Sequence, residues 1–342
     1  MHTIGIDLHK RESQLCILAD TGEITERRIA TSRERFTAVL GVLPSAKILV
    51  EASTESEWVA QHLESLGHTV IVADPGFSPM YATRSKRIKT DKRGARCLAE
   101  ACRLHAYRAT HRVSDAQRHV RQELAVRDAL VRTRTRFSAV IKAAVRREGL
   151  RLPLGDPERT AQKLAAVAVR TVVRDALAPL LAILDPLNGE IAAADRRIER
   201  LGTAHPVVKR LMTAPGVGPV TAVGFVAALD DVTRFRSAHQ VEAYLGLVPT
   251  ESSSGERQHR GHITKRGNPR MRWLLVEAGW RILRSTRPEC AALRAWGERV
   301  AARRGKRIAV VALARRLAGI LFALWRDGTT FRTPRAAQED AA

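Results

Sequence analysis

The stretch Thr3-Ile4-Gly5-Ile6-Asp7 decides the fold of the amino-terminal region, because it predicts a short apolar β-strand that ends on a carboxylate. Further strands are predicted at residues 14–19, 26–31, 47–50 and 68–73, and a helix is predicted at residues 58–66. Strands that alternate with helices favour a mixed sheet with helices packed on it. The fold predicted for about the first hundred residues is therefore α/β.

Two acidic residues stand at the ends of predicted strands, Asp7 after the first strand and Glu51 after the strand at residues 47–50. A carboxylate is costly to place there without a compensating partner. Two such carboxylates on neighbouring strand ends can hold a hard divalent cation such as Mg²⁺, and two-metal phosphoryl-transfer sites are built in this way. The alternative is an Asp that caps a turn and a Glu in an ordinary loop.

A third acid, Asp91, opens a predicted helix within a strongly basic stretch. A helix that crosses the sheet could bring Asp91 next to Asp7 and Glu51, although an Asp at a helix start is often only a cap. The basic side chains before it suit a phosphate backbone. Those predicted to bind nucleic acid are Arg84, Lys86, Arg87 and Lys89.

The middle of the chain is predicted to form two long helices. Residues 114–148 contain no Gly or Pro and carry apolar residues at helical spacing, and a second helical region spans about residues 161–201. Pro179 and Pro186 are expected to kink or break that second helix. Two long helices joined by a short breaker predict an antiparallel hairpin or coiled coil, which would act as a spacer or a dimerisation arm.

A glycine-rich stretch, Pro215-Gly216-Val217-Gly218-Pro219, precedes a helix of small residues and is similar to a helix-hairpin-helix motif. In such a motif Gly216 and Gly218 let backbone N–H groups approach a phosphate at the start of the helix. An ordinary glycine turn between packed helices explains the same pattern.

The stretch Ser252-Ser253-Ser254-Gly255 precedes a cationic segment, residues 257–272, that contains six Lys or Arg and no acid. A serine beside a glycine in a cationic loop is accessible and can act as a nucleophile toward phosphate, whereas serine triplets are usually only flexible loop. The cations of this segment predicted to position a nucleic-acid backbone are Lys265, Arg266, Arg270 and Arg272.

Bulk composition favours a polyanionic partner. The chain has 58 Lys and Arg against 35 Asp and Glu, a formal net charge of +23. Nucleic acid is the commonest partner for such an excess, although ribosome-bound, chromatin-like and anionic-membrane proteins fit it equally well. The four cysteines are scattered without a Cys-x-x-Cys pair, which disfavours a disulfide framework or zinc ribbon and predicts a cytoplasmic protein. No signal peptide and no membrane span are predicted.

Taken in this order, the motifs resemble the insertion-sequence 110 family of transposases, the DEDD recombinases. The resemblance covers nearly the whole chain and implies an RNase H/RuvC-like amino-terminal domain, a helical hairpin, and a mostly helical transposase domain with a helix-hairpin-helix-like element. The stretches that carry it are Gly5-Ile6-Asp7, Lys89-Thr90-Asp91 and residues 215–219, 246–249, 254–255 and 265–268. The expected domains are residues 1–110, 111–204 and 205–328, followed by a disordered tail at 329–342.

The resemblance also implies the activity, that of a transposase or site-specific recombinase of an insertion sequence. Asp7, Glu51 and Asp91 match the first three acids of the DEDD set and would hold Mg²⁺. The fourth acid of the family lies three residues after the third, where this chain has Gly94.

Ser254, with Ser253 as the close alternative, matches the family's proposed covalent nucleophile, which would form a phosphoserine link. The implied partners are the DNA ends of the element, its DNA target and, as in some family members, a structured guide RNA. Two DNA ends must meet, so a dimer or tetramer is expected, and its active sites could combine Ser254 and the acids from different subunits. Two rivals stay open: a RuvC-like nuclease that uses water, and a catalytically impaired nucleic-acid-binding remnant, which Gly94 favours.

Overall fold

The computed structural model describes residues 2–82, 90–254 and 257–332, and at residues 252–254 and 257–260 it describes the backbone alone. The chain divides into two compact units, Met1–Val113 and Ser114–Ala342. The first is a mixed α/β unit with a central sheet, and the second is mostly helical. The predicted domain limits at residues 110, 204 and 328 stay predictions.

In the described residues 2–82 and 90–113, the amino-terminal unit contains one sheet and three α-helices. Its strands are β1 (Thr3–Leu8), β2 (Glu12–Leu18), β3 (Ile24–Ala30), β4 (Lys47–Glu51) and β5 (Thr69–Ala73), and its helices are α1 (Arg33–Leu40), α2 (Ser56–Ser65) and α3 (Asp91–Arg103). The strand order is β3-β2-β1-β4-β5, with β1 antiparallel to β2 and parallel to β4. The predicted strands are confirmed with small shifts of their ends, whereas α1 was not predicted.

Alternation along β1 sorts its side chains to the two faces of the sheet. Ile4 and Ile6 are fully buried on one face, in a core that includes Phe36 of α1 and Leu63 of α2. The intervening residues, of which Gly5 is the first, therefore face α3 on the other side. This unit has helices on both faces of its sheet, and α3 packs on the face that carries Asp7, together with Met80 of the 3₁₀ turn that follows β5.

The close approach of α3 to β1 depends on Gly5. A Cβ atom at this position would lie 2.1 Å from the carbonyl oxygen of Ala95 and 2.2 Å from the amide nitrogen of Ala99, both backbone atoms of α3. Ala95 and Ala99 are themselves small and pack on Cys16 and Leu18 of β2. Because a helix backbone cannot turn aside as a side chain can, a larger residue at position 5 would push α3 away from the sheet.

The second unit is built from nine α-helices and a two-stranded sheet within the part of the chain that the structure describes. The helices are α4 (Asp115–Arg147), α5 (Thr160–Ala165), α6 (Thr171–Ala204), α7 (Pro206–Leu211), α8 (Pro219–Leu229), α9 (Ala238–Tyr244), α10 (Pro269–Arg284), α11 (Ala291–Arg304) and α12 (Lys306–Arg326), and the strands are β6 (Pro249–Ser254) and β7 (Arg257–Ile263). Every residue of α8 from Thr221 to Leu229 is buried. A helix that is apolar on all sides belongs in a core, and α8 packs against α4, α6, α7 and α10.

The two long helices α4 and α6 pack against each other in antiparallel directions. Arg127 pairs with Asp195, and Glu123 pairs with Arg197, so that rising residue numbers on one helix meet falling numbers on the other. Both Pro179 and Pro186 lie inside α6, and neither of them ends it. The expectation that these two prolines break the second long helix is therefore wrong.

Tertiary packing accounts for the continuity of α6. Leu177, Leu184, Leu187 and Ile191 are buried on both sides of the two prolines, and packing of an apolar face supplies most of the stability of a protein helix. The sequence also predicted one helix from residue 161, whereas the helical structure is interrupted at residues 166–170 between α5 and α6.

Two helices of this unit, α6 and α12, are long and apolar enough to cross a membrane by length and composition. Half of the apolar stretch in α12 is buried in the unit, where Arg315 also pairs with Glu242 of α9. Because the core helix of a soluble protein meets the same criterion, the two helices are weak evidence for a membrane span. The absence of a span stays a prediction.

All four cysteines, Cys16, Cys97, Cys102 and Cys290, are buried free thiols. Burial raises the pKa of Cys102 to about 11 and also raises the pKa of Cys16. Since the thiolate is the reactive form of cysteine, we expect neither of these two thiols to act as a nucleophile at neutral pH.

We expect Gly5→Ala to lower the free energy of unfolding of the amino-terminal unit by about 3 kcal/mol, the upper part of the range for overpacked cores. Thermal unfolding followed by circular dichroism measures this change. Gly189→Ala in α6 is the matched control, because no atom within the described residues lies within 4 Å of a Cβ built there, and alanine favours a helix. If Gly5→Ala unfolds at the temperature of the parent, the close approach at Gly5 does not set the position of α3.

Candidate active site

Asp7 and Glu51 lie at neighbouring positions on adjacent parallel strands. β1 and β4 pair with Ile6 opposite Val50, so the next residue on each strand is one of the two acids. Neighbouring strands are about 4.8 Å apart, and residues in register on them share a face of the sheet. The carboxylates of Asp7 and Glu51 therefore leave the sheet on the side of α3, as the sequence predicted from the two strand ends.

Asp91 reaches the same place from the start of α3. Thr90 caps the helix by accepting the Arg93 N–H at 3.3 Å, so Asp91 is the first helical residue and not the cap. Its Oδ1 lies 3.3 Å from Nε2 of His9, and the same nitrogen lies 3.8 Å from Oδ1 of Asp7. The ligand-type atoms of Asp7, His9 and Asp91 all lie within 4.8 Å of one another, and we call these three residues the Asp-His-Asp cluster.

The cluster is open to solvent on one side. The side chain of Asp7 is 17% exposed, whereas those of His9 and Asp91 are 52% and 54% exposed. A large substrate could therefore approach the outer two groups while Asp7 stays anchored against α3. Two carboxylates and an imidazole at this spacing are a donor set that suits a divalent cation.

Glu51 is held by a different partner and is not part of the cluster. The hydroxyl of Tyr81, at the end of the 3₁₀ turn Ser78–Tyr81 that follows β5, donates a hydrogen bond to Oε1 of Glu51. Outer hydrogen bonds of this kind orient carboxylates that bind metals. Glu51 thus lies beside Asp7 in the sheet, and its carboxylate is oriented by the Tyr81 hydroxyl.

Position 94 lies directly against Asp7. A Cβ atom built on Gly94 would be 2.3 Å from Oδ2 of Asp7 and 3.2 Å from its Cγ. Residues three apart on a helix share a face, so Asp91 and position 94 both point from α3 toward the end of β1. This chain therefore lacks a side chain at a position that reaches the Asp7 carboxylate.

The serine triplet lies in a β-hairpin and not in a loop, which corrects the prediction for this segment. β6 and β7 pair antiparallel, with Ser253 opposite Gln258 and Ser254 opposite Arg257. The connecting Gly255 and Glu256, and the side chains of Ser253 and Ser254, lie outside the described residues. The backbone of Ser254 is the last position of β6, at the end of a two-stranded ribbon.

At the base of the hairpin, the backbones of residues 244–246 and 265–267 are in direct contact. Gly246 and Gly267 have φ of +68° and +73°. A Cβ on Gly246 would lie 2.1 Å from the Arg266 carbonyl oxygen, and one on Gly267 would lie 2.0 Å from the Tyr244 carbonyl oxygen. The Lys265 N–H also donates to the Gly246 carbonyl at 3.2 Å. The glycines at 246 and 267 are therefore needed because the two backbones touch, and their contact fixes where the hairpin begins.

Two of the predicted phosphate-binding cations in this segment are exposed. Lys265 and Arg266 both lie at the surface, in the segment that follows β7. Arg272, by contrast, directs Nη1 to the carbonyl oxygens of Leu245 and Arg266, at 3.0 and 2.5 Å. Its guanidinium group stabilises the base of the hairpin.

Arg270 is also engaged within the protein. Its guanidinium group is largely buried and forms an ion pair with Asp128 of α4. Burial and the nearby Arg127 lower the pKa of Arg270 to about 10, so the guanidinium group is still charged at neutral pH and pairs with the Asp128 carboxylate. Arg270 and Arg272 therefore both have partners within the protein, and their predicted phosphate contacts stay predictions.

The glycine turn before α8 combines packing with an accessible helix start. Gly216 has φ of +74°, and a Cβ there would lie 3.0 Å from the Ala278 carbonyl oxygen of α10. Gly218 is the N-cap of α8 and supplies no capping side chain, and the described residues place no atom within 4 Å of a Cβ built on it. Arg281 lines a cavity of about 410 Å³ beside this turn. Packing explains Gly216, and the open space at Gly218 suits approach by a ligand.

The predicted basic stretch before α3 lies largely outside the described residues, which include none of Arg84, Lys86, Arg87 and Lys89. Within α3, Lys92 pairs with Glu26 of β3, and Arg96 pairs with Glu100.

Comparison with known proteins assigns both units to one family. Residues 4–148 match the family model of the DEDD transposases of the IS110 type, and residues 208–294 match the model of the transposase IS116/IS110/IS902 family. The chain is 30% identical over 342 residues to a "Probable family 20 transposase" of Pseudomonas aeruginosa, an alignment that covers 96% of this chain and 98% of that relative. The chain belongs to the IS110 family of transposases. It is also 27% identical to the transposase for insertion sequence element IS1111A of Coxiella burnetii, over 96% of this chain and 91% of the relative, and 28% identical to the transposase for IS1328 of Yersinia enterocolitica, over 96% and 98%.

As an IS110-family member this protein is a DNA transposase, and DEDD transposases typically use a divalent metal. The residues matched by the first model include all three acids, and those matched by the second include Ser254. Sequence reasoning missed His9 and Tyr81. For His9 a signal was present, because Asp7-Leu8-His9 places two residue types that bind metals two positions apart where the first strand ends.

Proposed function

We propose that this IS110-family transposase is an Mg²⁺-dependent recombinase that cuts and rejoins DNA through a phosphoserine intermediate at Ser254. Asp7, Glu51 and Asp91 would hold the metal in an RNase H/RuvC-like domain. The observation that carries the proposal is the convergence of Asp7, from the end of β1, and Asp91, from the start of α3, at distances that suit one cation.

The chemistry consists of two transesterifications at one phosphorus atom. The metal would neutralise phosphate charge and favour loss of the serine proton. The Ser254 Oγ bonds to phosphorus as the bond from phosphorus to the sugar oxygen breaks, and that oxygen takes up a proton. A hydroxyl of the second strand then attacks the same phosphorus, and Oγ leaves with a proton. One phosphodiester is lost and one is formed, so the reaction needs no nucleotide cofactor.

Surface cations and helix starts would hold the DNA while this happens. Lys265 and Arg266 are exposed beside the base of the serine hairpin and suit the sugar–phosphate backbone. The open start of α8 at Gly218 suits a phosphate, since backbone N–H groups and the helix dipole favour an anion there. We also propose that the following residues contact the nucleic-acid backbone: Gly216, Arg84, Lys86, Arg87 and Lys89.

The assembly follows from the reaction. Two DNA ends must be brought together, so we propose a dimer or tetramer in which the antiparallel pair α4 and α6 serves as a spacer or dimerisation arm. At each phosphodiester, the attacking serine and the acids that hold the metal would belong either to the same subunit or to two different subunits. A net charge of +23 is compatible with a structured guide RNA as a further partner. The four free thiols are compatible with the cytoplasm.

Strand joining tests this function directly. The purified protein is incubated with Mg²⁺ and a DNA duplex that contains the ends of the element and its flanks, and new junctions are sequenced. Joined strands support the proposal, with Asp7→Asn as the inactive control. Cut ends that are never joined favour the rival RuvC-like nuclease, whose nucleophile is water.

The second candidate function is that of a catalytically impaired remnant that only binds nucleic acid. Gly94 is the observation that favours it, because the position against Asp7 supplies no ligand. The strand-joining assay is therefore run on the parent and on Gly94→Asp. Tight binding without cleavage by either protein would support the remnant and contradict the recombinase.

Nucleic-acid binding is expected to weaken steeply with salt. Each phosphate neutralised by Lys or Arg releases counterions, so several contacts should lower the affinity by about 10³-fold or more between 50 and 200 mM salt. Filter binding across this range measures the slope. We expect the double variant Lys265→Ala with Arg266→Ala to reduce the slope by about two, one for each lost phosphate contact.

The matched control removes the same charge elsewhere. Lys306 and Arg307 are exposed at the start of α12, so their double Ala variant changes net charge equally. An equal loss in both double variants would mean that the charge acts diffusely and that Lys265 and Arg266 have no special role. A flat dependence on salt would contradict nucleic-acid binding through phosphates altogether.

A further inference from the structure

We propose that His9 is a metal ligand in this chain, and that its imidazole gives the site a preference for divalent transition metals over Mg²⁺. The inference rests on the proposed metal-dependent function and concerns which of this chain's side chains bind the ion. It starts from position 94, where glycine lies against Asp7 and contributes no donor atom.

The imidazole of His9 lies between the two aspartates. Its Nε2 is 3.3 Å from Oδ1 of Asp91 and 3.8 Å from Oδ1 of Asp7. Two ligands bound at about 2.1 Å to one ion lie about 3.0 Å apart at right angles and about 4.2 Å apart when opposite. Both measured distances fall inside that interval, and the ligand atoms of Asp7 and Asp91 lie within 4.8 Å of each other. A small movement of the exposed Asp91 side chain is therefore enough for one ion to take a nitrogen from His9 and an oxygen from each acid.

The backbone holds His9 in this place. β1 ends at Leu8, and the carbonyl oxygen of the next residue, His9, accepts a hydrogen bond from Oγ1 of Thr31 at 2.8 Å. The N–H of Thr31 donates to the carbonyl of Arg11 at 2.9 Å. The turn from β1 into β2 is thus tied to the end of β3, which fixes the backbone from which the imidazole extends.

Donor chemistry then sets the preference. Mg²⁺ prefers oxygen ligands and keeps several of its waters. Imidazole nitrogen suits later divalent ions, whose affinities for such mixed sites also rise along the first transition row. A site with two carboxylates and one imidazole should therefore bind a transition-metal ion more tightly than Mg²⁺, and the imidazole should account for the difference.

Electron paramagnetic resonance with Mn²⁺ as the probe tests this on the full chain. We expect bound Mn²⁺ to show coupling to a ¹⁴N nucleus, and we expect His9→Ala to abolish the coupling and weaken Mn²⁺ binding on the order of tenfold or more. Competition with Mg²⁺ should show a smaller loss for Mg²⁺ in the same variant. The matched control is His105→Ala, since His105 is exposed and contacts Lys47 at the opposite end of β4.

Three outcomes separate this inference from the proposed function. Bound Mn²⁺ without nitrogen coupling, or equal binding by the parent and His9→Ala, overturns the role of His9, and the histidine is then only a neighbour of the two acids. If Asp7→Asn abolishes Mn²⁺ binding in that case, the metal site and the proposed function stand. If Asp7→Asn also binds Mn²⁺ like the parent, the proposed metal site itself is wrong.

Discussion

Ser254→Ala is expected to abolish the detergent-stable adduct between the protein and DNA while leaving the affinity for DNA nearly unchanged. The hydroxyl is the attacking group in the proposed mechanism, whereas exposed cations such as Lys265 and Arg266 hold the backbone. The substitution removes one oxygen atom at the end of β6, in a hairpin whose base is fixed by Gly246 and Gly267. Denaturing gels with labelled DNA measure the adduct, and filter binding measures the affinity.

Ser253→Ala is the matched control for this experiment. Ser253 is the adjacent residue of β6 and the close alternative nucleophile, and its substitution removes the same single oxygen atom. We expect Ser253→Ala to retain the adduct. An adduct that survives in Ser254→Ala but disappears in Ser253→Ala would exchange the roles of the two serines, and one that survives in both would exclude this hairpin as the source of the nucleophile.

Gly94→Asp is expected to strengthen divalent-metal binding on the order of tenfold to a hundredfold and to raise strand-transfer activity well above that of the parent. A Cβ at position 94 would lie 2.3 Å from Oδ2 of Asp7, so the Asp7 carboxylate must turn to admit it. Without metal, two carboxylates at this distance repel each other. The variant should therefore be less stable than the parent without metal and gain more in melting temperature when Mg²⁺ is added.

Gly94→Asn separates charge from size in this test. Asparagine has nearly the same volume as aspartate and crowds Asp7 equally, but it brings no negative charge to the ion. We expect Gly94→Asn to lose stability without the compensating metal response. If the parent is fully active and Gly94→Asp binds metal no more tightly, the fourth-ligand argument is wrong, and His9 or the DNA fills that position.

The amino-terminal part of the site was predictable from the sequence because few residues set it. A glycine in the middle of an apolar strand admits α3, and parallel strands that end on Asp7 and Glu51 must place them side by side. Asp91 could be assigned to a helix start, but its approach to Asp7 depends on how α3 crosses the sheet. Tyr81, which binds Glu51, lies in a 3₁₀ turn that no pattern in the sequence predicts.

The second unit was harder to predict because local signals and tertiary packing disagree there. Serines and cations at residues 249–263 give no apolar alternation, so the sequence predicts a loop where β6 and β7 pair. A run of positive charge also predicted solvent-facing arginines. Arg270 is instead largely buried, where it pairs with Asp128. Because Asp128 lies more than a hundred residues earlier in the chain, no local pattern indicates this pair.

The measurement that tests the central claim most directly is whether the adduct at Ser254 needs the metal and the acids. Labelled end DNA is incubated with Gly94→Asp, with Gly94→Asp combined with Asp7→Asn, and with the parent, each with Mg²⁺, with Mn²⁺ or with a chelator, and the linked residue is located by mass spectrometry. We predict a phosphoserine at Ser254 that forms only with metal and disappears with Asp7→Asn as completely as with Ser254→Ala. An adduct that forms in the presence of the chelator, or that survives Asp7→Asn, would show that the acidic site and the serine do not act in the same step.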